Sequence, residues 1–416
     1  MRIASSMIYD AGVASMQKQT SALLHTQQQL ASGRRMLTPS DDPVAAARAL
    51  EVEQARQTNA IYLTNQKSAG ESLALVENNL VTTGNLLTRV RELAVQAGNA
   101  SLTDSDRRSV AIELRHRFDE LLGIANATDG AGQYLFSGYM GDTKPFSGTV
   151  GSGASYAGDE GQRHQQVTAS RQMAVSESGN AVFMRIPAGN GTFSTAAAGT
   201  NSGTGVIDGG AVLNPVSWAA GNVPATGLEI VFSTVGATTY YDIQDAATST
   251  SLLTAPIAFV PGQAIPLVKQ TAPAADYGSQ VVITGQPANG DTFSITPSST
   301  QSLFATLENL IAAVEAPVSG NNALLTNRLG DALTNLDQGM DNLLRVRASI
   351  GARMNELDAL GSVGEDLGLQ YQQTLSRLQD VDYAEAISNL TQQQTYLEAA
   401  QKSYLRVAGL SLFNYV

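Results

Sequence analysis

The chain has 416 residues, enough for two or three domains, and carries 25 lysines and arginines against 37 aspartates and glutamates, a net charge of −12. That balance argues against a nucleic-acid backbone as partner, which needs a clustered basic face. Cysteine is absent, which excludes disulfides, thiolate catalysis, iron–sulfur clusters and cysteine–zinc sites.

The opening stretch, Met1 to Gln19, lacks the unbroken apolar run of ~7–15 residues that marks a cleaved secretory signal. Nowhere do ~18 consecutive apolar residues predict membrane insertion. Gly33 reads as a helix stop. Thr38-Pro39-Ser40-Asp41-Asp42-Pro43 then reads as a helix start. An aspartate or serine caps it, and Pro43 stands at the first helical position, where its missing N–H costs nothing. Leu73, Leu80, Leu87 and Ala94 step by seven, with Val76, Thr83, Val90 and Ala97 beside them. Ser101 to Asp106 opens a further helix with the face Val110, Leu114, Phe118, Leu121 and Ala125, and Asn126 to Gly132 ends it.

Composition then changes. Residues 141–300 hold 21 of the 38 glycines and 10 of the 13 prolines, which punctuate short strands rather than long helices. Strands are predicted at Ala181–Ile186, Leu228–Phe232, Thr238–Ile243, Val281–Thr284 and Thr292–Ile295. Thr195–Gly210, rich in Gly, Ala, Ser and Thr, is expected to be a flexible loop. Beyond this block the heptad pattern returns at Leu329, Leu336, Leu343, Ile350 and Leu357, interleaved with Leu333, Met340, Arg347 and Met354. Tyr383, Leu390, Leu397 and Tyr404 repeat it in the last segment. A sustained seven-residue repeat places one apolar seam along a supercoiled helix.

The predicted fold class is α+β. Long terminal helices form an antiparallel coiled coil and helical bundle, a rod, with a central β-rich insertion projecting outward. The expected segments are an inner coiled-coil helix (1–40), the first part of a helical bundle (41–140), a β-rich outer domain (141–300), the second part of the bundle (301–375) and a second inner helix (376–416).

Nothing in the sequence supports an enzyme or a cofactor. His25, His116 and His164 do not pair at metal spacing, and His25 and His116 read as surface residues. There is no phosphate-binding loop, no dinucleotide fingerprint and no nucleophile elbow. Asp41 and Asp42 read as a helix cap rather than a metal pair. The terminal helices carry glutamine tracts at 27–29 and 392–394, and Gln394 and Gln401 are expected at core-facing positions. So thin a stripe holds an isolated helix poorly. Two readings stand: an ordinary surface helix pair, or terminal helices that order only in an assembly. The apolar ending, with Leu410, Leu412, Phe413 and Tyr415, favours assembly.

Four motifs carry a resemblance to the flagellin family. They are Leu30-Ala-Ser-Gly-Arg-Arg-Met-Leu-Thr-Pro-Ser-Asp-Asp-Pro43; Gly132-Gln-Tyr-Leu-Phe-Ser-Gly138 with Thr143-Lys-Pro-Phe146; Leu378-Gln-Asp-Val-Asp-Tyr-Ala-Glu-Ala-Ile387; and Leu410-Ser-Leu-Phe-Asn-Tyr415. Pro43, the second motif and the ending are closer to the family's hook–filament junction branch than to its filament subunits. The resemblance covers roughly 1–146 and 301–416, and the β insertion only by position. That insertion is long and low in complexity for the branch.

The resemblance implies a structural subunit of the bacterial flagellum, an adaptor ring between hook-associated protein 1 and flagellin that starts filament assembly. It implies export through the flagellar type III apparatus without a cleaved signal, an export chaperone, an extracellular location, and a ring of copies, eleven in number. The charge balance and the lack of a long apolar run already predict no nucleic-acid partner and no membrane insertion. The alternatives are a flagellin-type filament subunit, separable by copy number, and a surface-displayed binding module anchored by its helices.

Under this resemblance the candidate subunit-interface residues are Gly33, Arg34, Arg35, Asp41, Asp42, Tyr134, Phe136, Asp382, Ile387, Leu390, Leu397, Tyr404, Leu410, Leu412, Phe413 and Tyr415. For Ser32–Arg35 a bend at a subunit contact stands against a plain helix stop. For Tyr134–Phe136 a subunit contact stands against internal packing. Asp380 and Asp382 most simply cap the last helix.

Overall fold

Five helices of this chain start where a side chain satisfies their first free N–H groups. The computed structural model describes residues 5–221, 223–317 and 322–409. The helices are α1 (Ser5–Ser32), α2 (Pro43–Ala97), α3 (Asp104–Ala125), α4 (Pro215–Ala220), α5 (Leu303–Glu315), α6 (Ala323–Gln379) and α7 (Tyr383–Gly409). Asp42 accepts from the Ala45 amide at 3.0 Å and starts α2 at Pro43, as expected. Thr103 and Asp106 form a capping box that starts α3. Asn214, Ser302 and Asp382 cap α4, α5 and α7.

The chain divides into two compact units. Unit 1 comprises 1–66, 167–169 and 358–416. Unit 2 comprises 67–166 and 170–357. Long terminal helices flank a central β-rich region, the class the sequence predicts.

In unit 2 the heptad rows of α2 and the leading row of α6 are buried, whereas the interleaved Leu333, Met340, Arg347 and Met354 of α6 are only partly buried. Leu73, Val76, Leu80, Thr83, Leu87, Val90, Ala94 and Ala97 of α2 are all buried, as are Leu329, Leu336, Leu343, Ile350 and Leu357 of α6. The two helices run antiparallel, since Arg91 pairs with Asp337 and Arg347 with Glu77. Helices α3 and α5 complete the bundle, joined by the edge-to-face rings of Phe118 and Phe304, 5.5 Å apart. Arg353 reaches Glu177 and also donates to the Ala174 carbonyl at 2.9 Å, tying α6 to the 174–177 segment.

The β-rich part of unit 2 contains a five-stranded antiparallel sheet, in the order Ile257–Ala258, Thr238–Asp245, Leu228–Val235, Thr292–Pro297 and Phe193–Ala197. A smaller sheet runs Ala264–Lys269, Ala275–Thr284, Val206–Ile207. Between them lies an apolar core that includes Phe193, Leu228, Ile230, Phe232, Leu267, Val281, Phe293 and Ile295. Alternation of buried and partly exposed residues along Leu228–Val235 shows why the sequence pattern finds these strands.

Two expectations are corrected. Ala181–Ile186 is not a strand: Asn180–Met184 forms a single π-helical turn, and only Ile186–Pro187 is extended. Consecutive Val182 and Phe183 are both buried, which a strand with one solvated face forbids. The Asn342 amide of α6 donates to the carbonyls of Ala181 and Val182, each at 3.0 Å. Nor is Thr195–Gly210 an unstructured loop. Its ends are strands, and the buried Asp291 carboxylate accepts from the amides of Ser202 and Gly203 at 2.8 and 3.0 Å.

Candidate functional site

The candidate interface residues of the terminal helices lie in unit 1, around a break that the sequence builds from both ends. Helix α1 stops where Gly33 takes a positive φ of 70°, a conformation that non-glycine residues adopt only under strain. Opposite it, α6 stops at Gln379 and α7 starts at Tyr383. The two breaks zip together. The Arg35 amide donates to the Gln379 carbonyl at 2.7 Å, and the Val381 amide to the Gly33 carbonyl at 3.0 Å. Arg34 and Asp380 form the antiparallel bridge between these bonds. Arg35 Nη2 donates to the Leu378 carbonyl at 3.1 Å and lies 3.5 Å from the Asp42 carboxylate.

Asp41 holds the turn that follows. Its carboxylate accepts from the amides of Thr38 and Leu37 at 2.9 and 2.8 Å, and these bonds pull its pKa down to about 2. His25 of α1 lies 3.5 Å from the same carboxylate. Asp382 accepts from Ala384 and Glu385, so it caps α7. The side chains of Arg35, Asp41, Asp42 and Asp382 therefore fix backbone at the break, whereas Arg34 takes part through its own backbone.

The apolar members behave differently. Helices α1 and α7 pack antiparallel, with the Tyr9 and Tyr404 rings edge to face at 5.9 Å. Leu390, Leu397 and Tyr404 are only partly buried, and Ile387 is exposed. Gln394 and Gln401, expected to face the core, are exposed. The second seam position falls three residues after the first rather than four, at Ala386, Gln393 and Ala400. Leu410, Leu412, Phe413 and Tyr415 lie outside the described residues.

Among the described residues of unit 1, the apolar side chains that are fully buried are Ala45, Ala49, Val167 and Ala386. Large exposed ones include Met7, Leu24, Leu50, Ile61, Val363, Leu369, Tyr396 and Leu405. Unit 1 also contains an apolar groove of about 550 Å³, lined by Ala55, Asn59 and Tyr62 of α2 and Val363, Leu367 and Tyr371 of α6. Sequence reasoning missed this groove. Its signal was available in the register: Asn59 continues the row of Leu73, Ala55 and Tyr62 that of Val76, and Tyr371 that of Leu357.

The remaining candidates sit in unit 2. Phe136 is wholly buried, with its ring 5.1 Å from that of Phe183, so its side chain packs inside the subunit. Tyr134 is partly exposed, and its amide donates to the Gly141 carbonyl.

Comparison with known proteins places this arrangement. Residues 3–140 match the bacterial flagellin N-terminal helical region, and residues 333–415 match the C-terminal helical region. The chain is 27% identical to flagellar hook-associated protein 3 of Escherichia coli over 416 residues, 99% of each chain. The crystal structure of the flagellar junction protein FlgL from Legionella pneumophila superposes with a TM-score of 0.70 at 29% identity, covering 80% of this chain and 100% of that one. Flagellin of Bacillus subtilis matches at 34% identity over 129 residues, 30% of this chain and 41% of that one. These relatives are structural proteins, not enzymes. The long helical ends and the β-rich region they flank are thus those of a known architecture, and the chain belongs to the flagellin family as a structural component of the bacterial flagellum.

Proposed function

We propose that this chain is the adaptor subunit at the hook–filament junction. Copies of it form a ring, eleven by the family resemblance, between hook-associated protein 1 and flagellin. The chain reaches the cell exterior by flagellar export, with a chaperone covering its terminal helices beforehand. The observation that carries this reading is the extent of the likeness. Hook-associated protein 3 matches along 99% of the chain, β-rich region included, whereas the flagellin of Bacillus subtilis matches over 30%.

The burial pattern of unit 1 supports the same reading. Ordering a residue costs ~1–2 kcal/mol of backbone entropy, and three alanines with one valine offset little of that. The exposed apolar residues of α1, α2, α6 and α7 supply the rest when other subunits cover them. The candidate residues of unit 1 are proposed to act there: Gly33, Arg34, Arg35, Asp41, Asp42 and Asp382 shape the break, and Ile387, Leu390, Leu397 and Tyr404 meet neighbours. An array with two unlike faces needs a heterologous contact, which lets the ring present different surfaces to hook and filament.

Deletion of the gene tests the proposal. Bare hooks, with abundant monomeric flagellin in the culture medium, are expected. Normal filaments on the deletion strain would contradict it.

A further inference from the structure

Unit 2 contains a cleft of about 380 Å³ between α5 and α6. Its walls are chemically divided. Ala312, Ala313 and Ala332 form an apolar side, while Thr306, Asn309 and Asp331 are among the residues that bring polar groups. Gln301 donates its amide N–H to the Thr306 hydroxyl at 3.1 Å, which leaves the Gln301 side-chain oxygen available. Asp331 is the acidic group of the lining, and it forms no ion pair with any described residue. Thr306, Asn309, Ala312 and Ala313 of α5 carry no charge, and neither does Gln301. The remaining charged group of the lining is Arg328, one helical turn before Asp331. It is exposed and also forms no ion pair with a described residue.

The geometry points to a socket for a lysine or arginine side chain, supplied by a second copy of this chain. The alanine wall accepts an alkyl stem, as long basic side chains bury their methylenes along apolar surface. Asp331 accepts the charged head, with the amide oxygens beside it as further acceptors. A carboxylate held in a cleft without a counter-ion is destabilising, and a cation entering from outside removes that penalty. Burial pushes the Asp331 pKa up to about 7, so the cleft disfavours an unpaired carboxylate. A second copy can supply the cation: Lys18, Arg48, Lys67, Arg108 and Lys144 are exposed and make no ion pair with a described residue. This choice of occupant rests on the proposal that copies assemble into a ring.

The test uses the full chain and two readouts. First, n-butylguanidinium is titrated against the wild type and Asp331→Asn at pH 8, with binding followed by calorimetry. Saturable binding by the wild type, weakened at least tenfold in Asp331→Asn, is expected. No saturable binding, or equal binding by both, overturns the socket. Arg328→Ala is the control. If Arg328 were the true partner of Asp331, its removal would strengthen n-butylguanidinium binding more than tenfold, and that result overturns the proposal. Unchanged binding supports it.

Second, self-association is measured by sedimentation at pH 8. Asp331→Lys is expected to associate at least tenfold more weakly than the wild type, and equal association overturns the second copy as occupant. A wild-type chain that binds the probe but never self-associates overturns the ring reading and that occupant together, while the cleft's affinity for cations stands. The two failures are therefore distinguishable.

Discussion

The Val381 amide donates to the Gly33 carbonyl at 3.0 Å, joining a helix stop near one end of the sequence to a helix start near the other. Neither break works alone. Gly33 turns the chain out of α1, and the 379–381 backbone receives it as the partner edge of a two-stranded bridge. The order of α1 and α7 thus depends on one short backbone ladder and a thin apolar seam.

Replacing Gly33 tests this directly. A side chain at φ 70° costs ~1–2 kcal/mol, and a Cβ there would stand 3.1 Å from the Tyr383 hydroxyl. Gly33→Val is expected to lose helical signal in circular dichroism at a lower temperature than wild type and to reduce motility in a complemented strain. Gly33→Asn should lie between the two, because asparagine tolerates the left-handed region better.

The Arg353–Glu177 pair is expected to behave as a buried ion pair. Glu177 is 5% exposed, and the side chain of Arg353 is 16% exposed. Glu177→Ala leaves a guanidinium without its carboxylate and should cost about 3 kcal/mol in denaturant unfolding. The double variant Glu177→Leu with Arg353→Met should recover much of that loss. Equal destabilisation by single and double variants would show that the pair's charge is not what matters.

Asp331 makes stability depend on pH. Its folded pKa of about 7 lies above the ordinary 3.8, so the folded chain holds a proton that the unfolded chain releases. That contribution is fully present below pH 3.8 and is lost as pH rises through about 7. Asp331→Asn is expected to raise the unfolding temperature at pH 8 and to flatten the decline between pH 4 and pH 7. Thermal scans across that range check it, and parallel curves for the two proteins would contradict it.

The aromatic cluster of unit 2 should hold the bundle to the segment around 136–183. Phe304 packs at 5.5 Å from Phe118 and 5.4 Å from Phe146, and it is wholly buried. Phe304→Ala should cost ~3–5 kcal/mol in unit 2. Protease digestion should then cut within 136–183 sooner than in the wild type.

The sequence made the long helices legible because their physics is local and repetitive. Leu73 to Ala97 and Leu329 to Leu357 obey a heptad over many turns, and Asp42, Thr103 and Asp382 cap by contacts within three residues. What stayed hidden depends on distant partners. The turn at Asn180–Met184 is imposed by Asn342, and the 198–205 segment is ordered by Asp291, both far away in sequence. Tyr134 and Phe136 are neighbours in one motif, yet one is partly exposed and the other wholly buried, which only the fold decides. The seam of α7 was misplaced by one residue, because Gln393 and Gln394 are indistinguishable by composition. The groove lined by Val363 and Leu367 escaped notice because polar or small residues interrupt the heptad rows there, with Gln66 and Asn59 continuing the row of Leu73 and Gly364 that of Leu357.

The central claim is that this chain occupies one level of the flagellum, between hook and filament. A peptide epitope inserted at the exposed Gly236 turn, with gold-labelled antibody and electron microscopy of intact flagella, measures its position. A single band of label at the hook–filament boundary is the predicted result. Label distributed along the filament would contradict the account and identify a filament subunit instead.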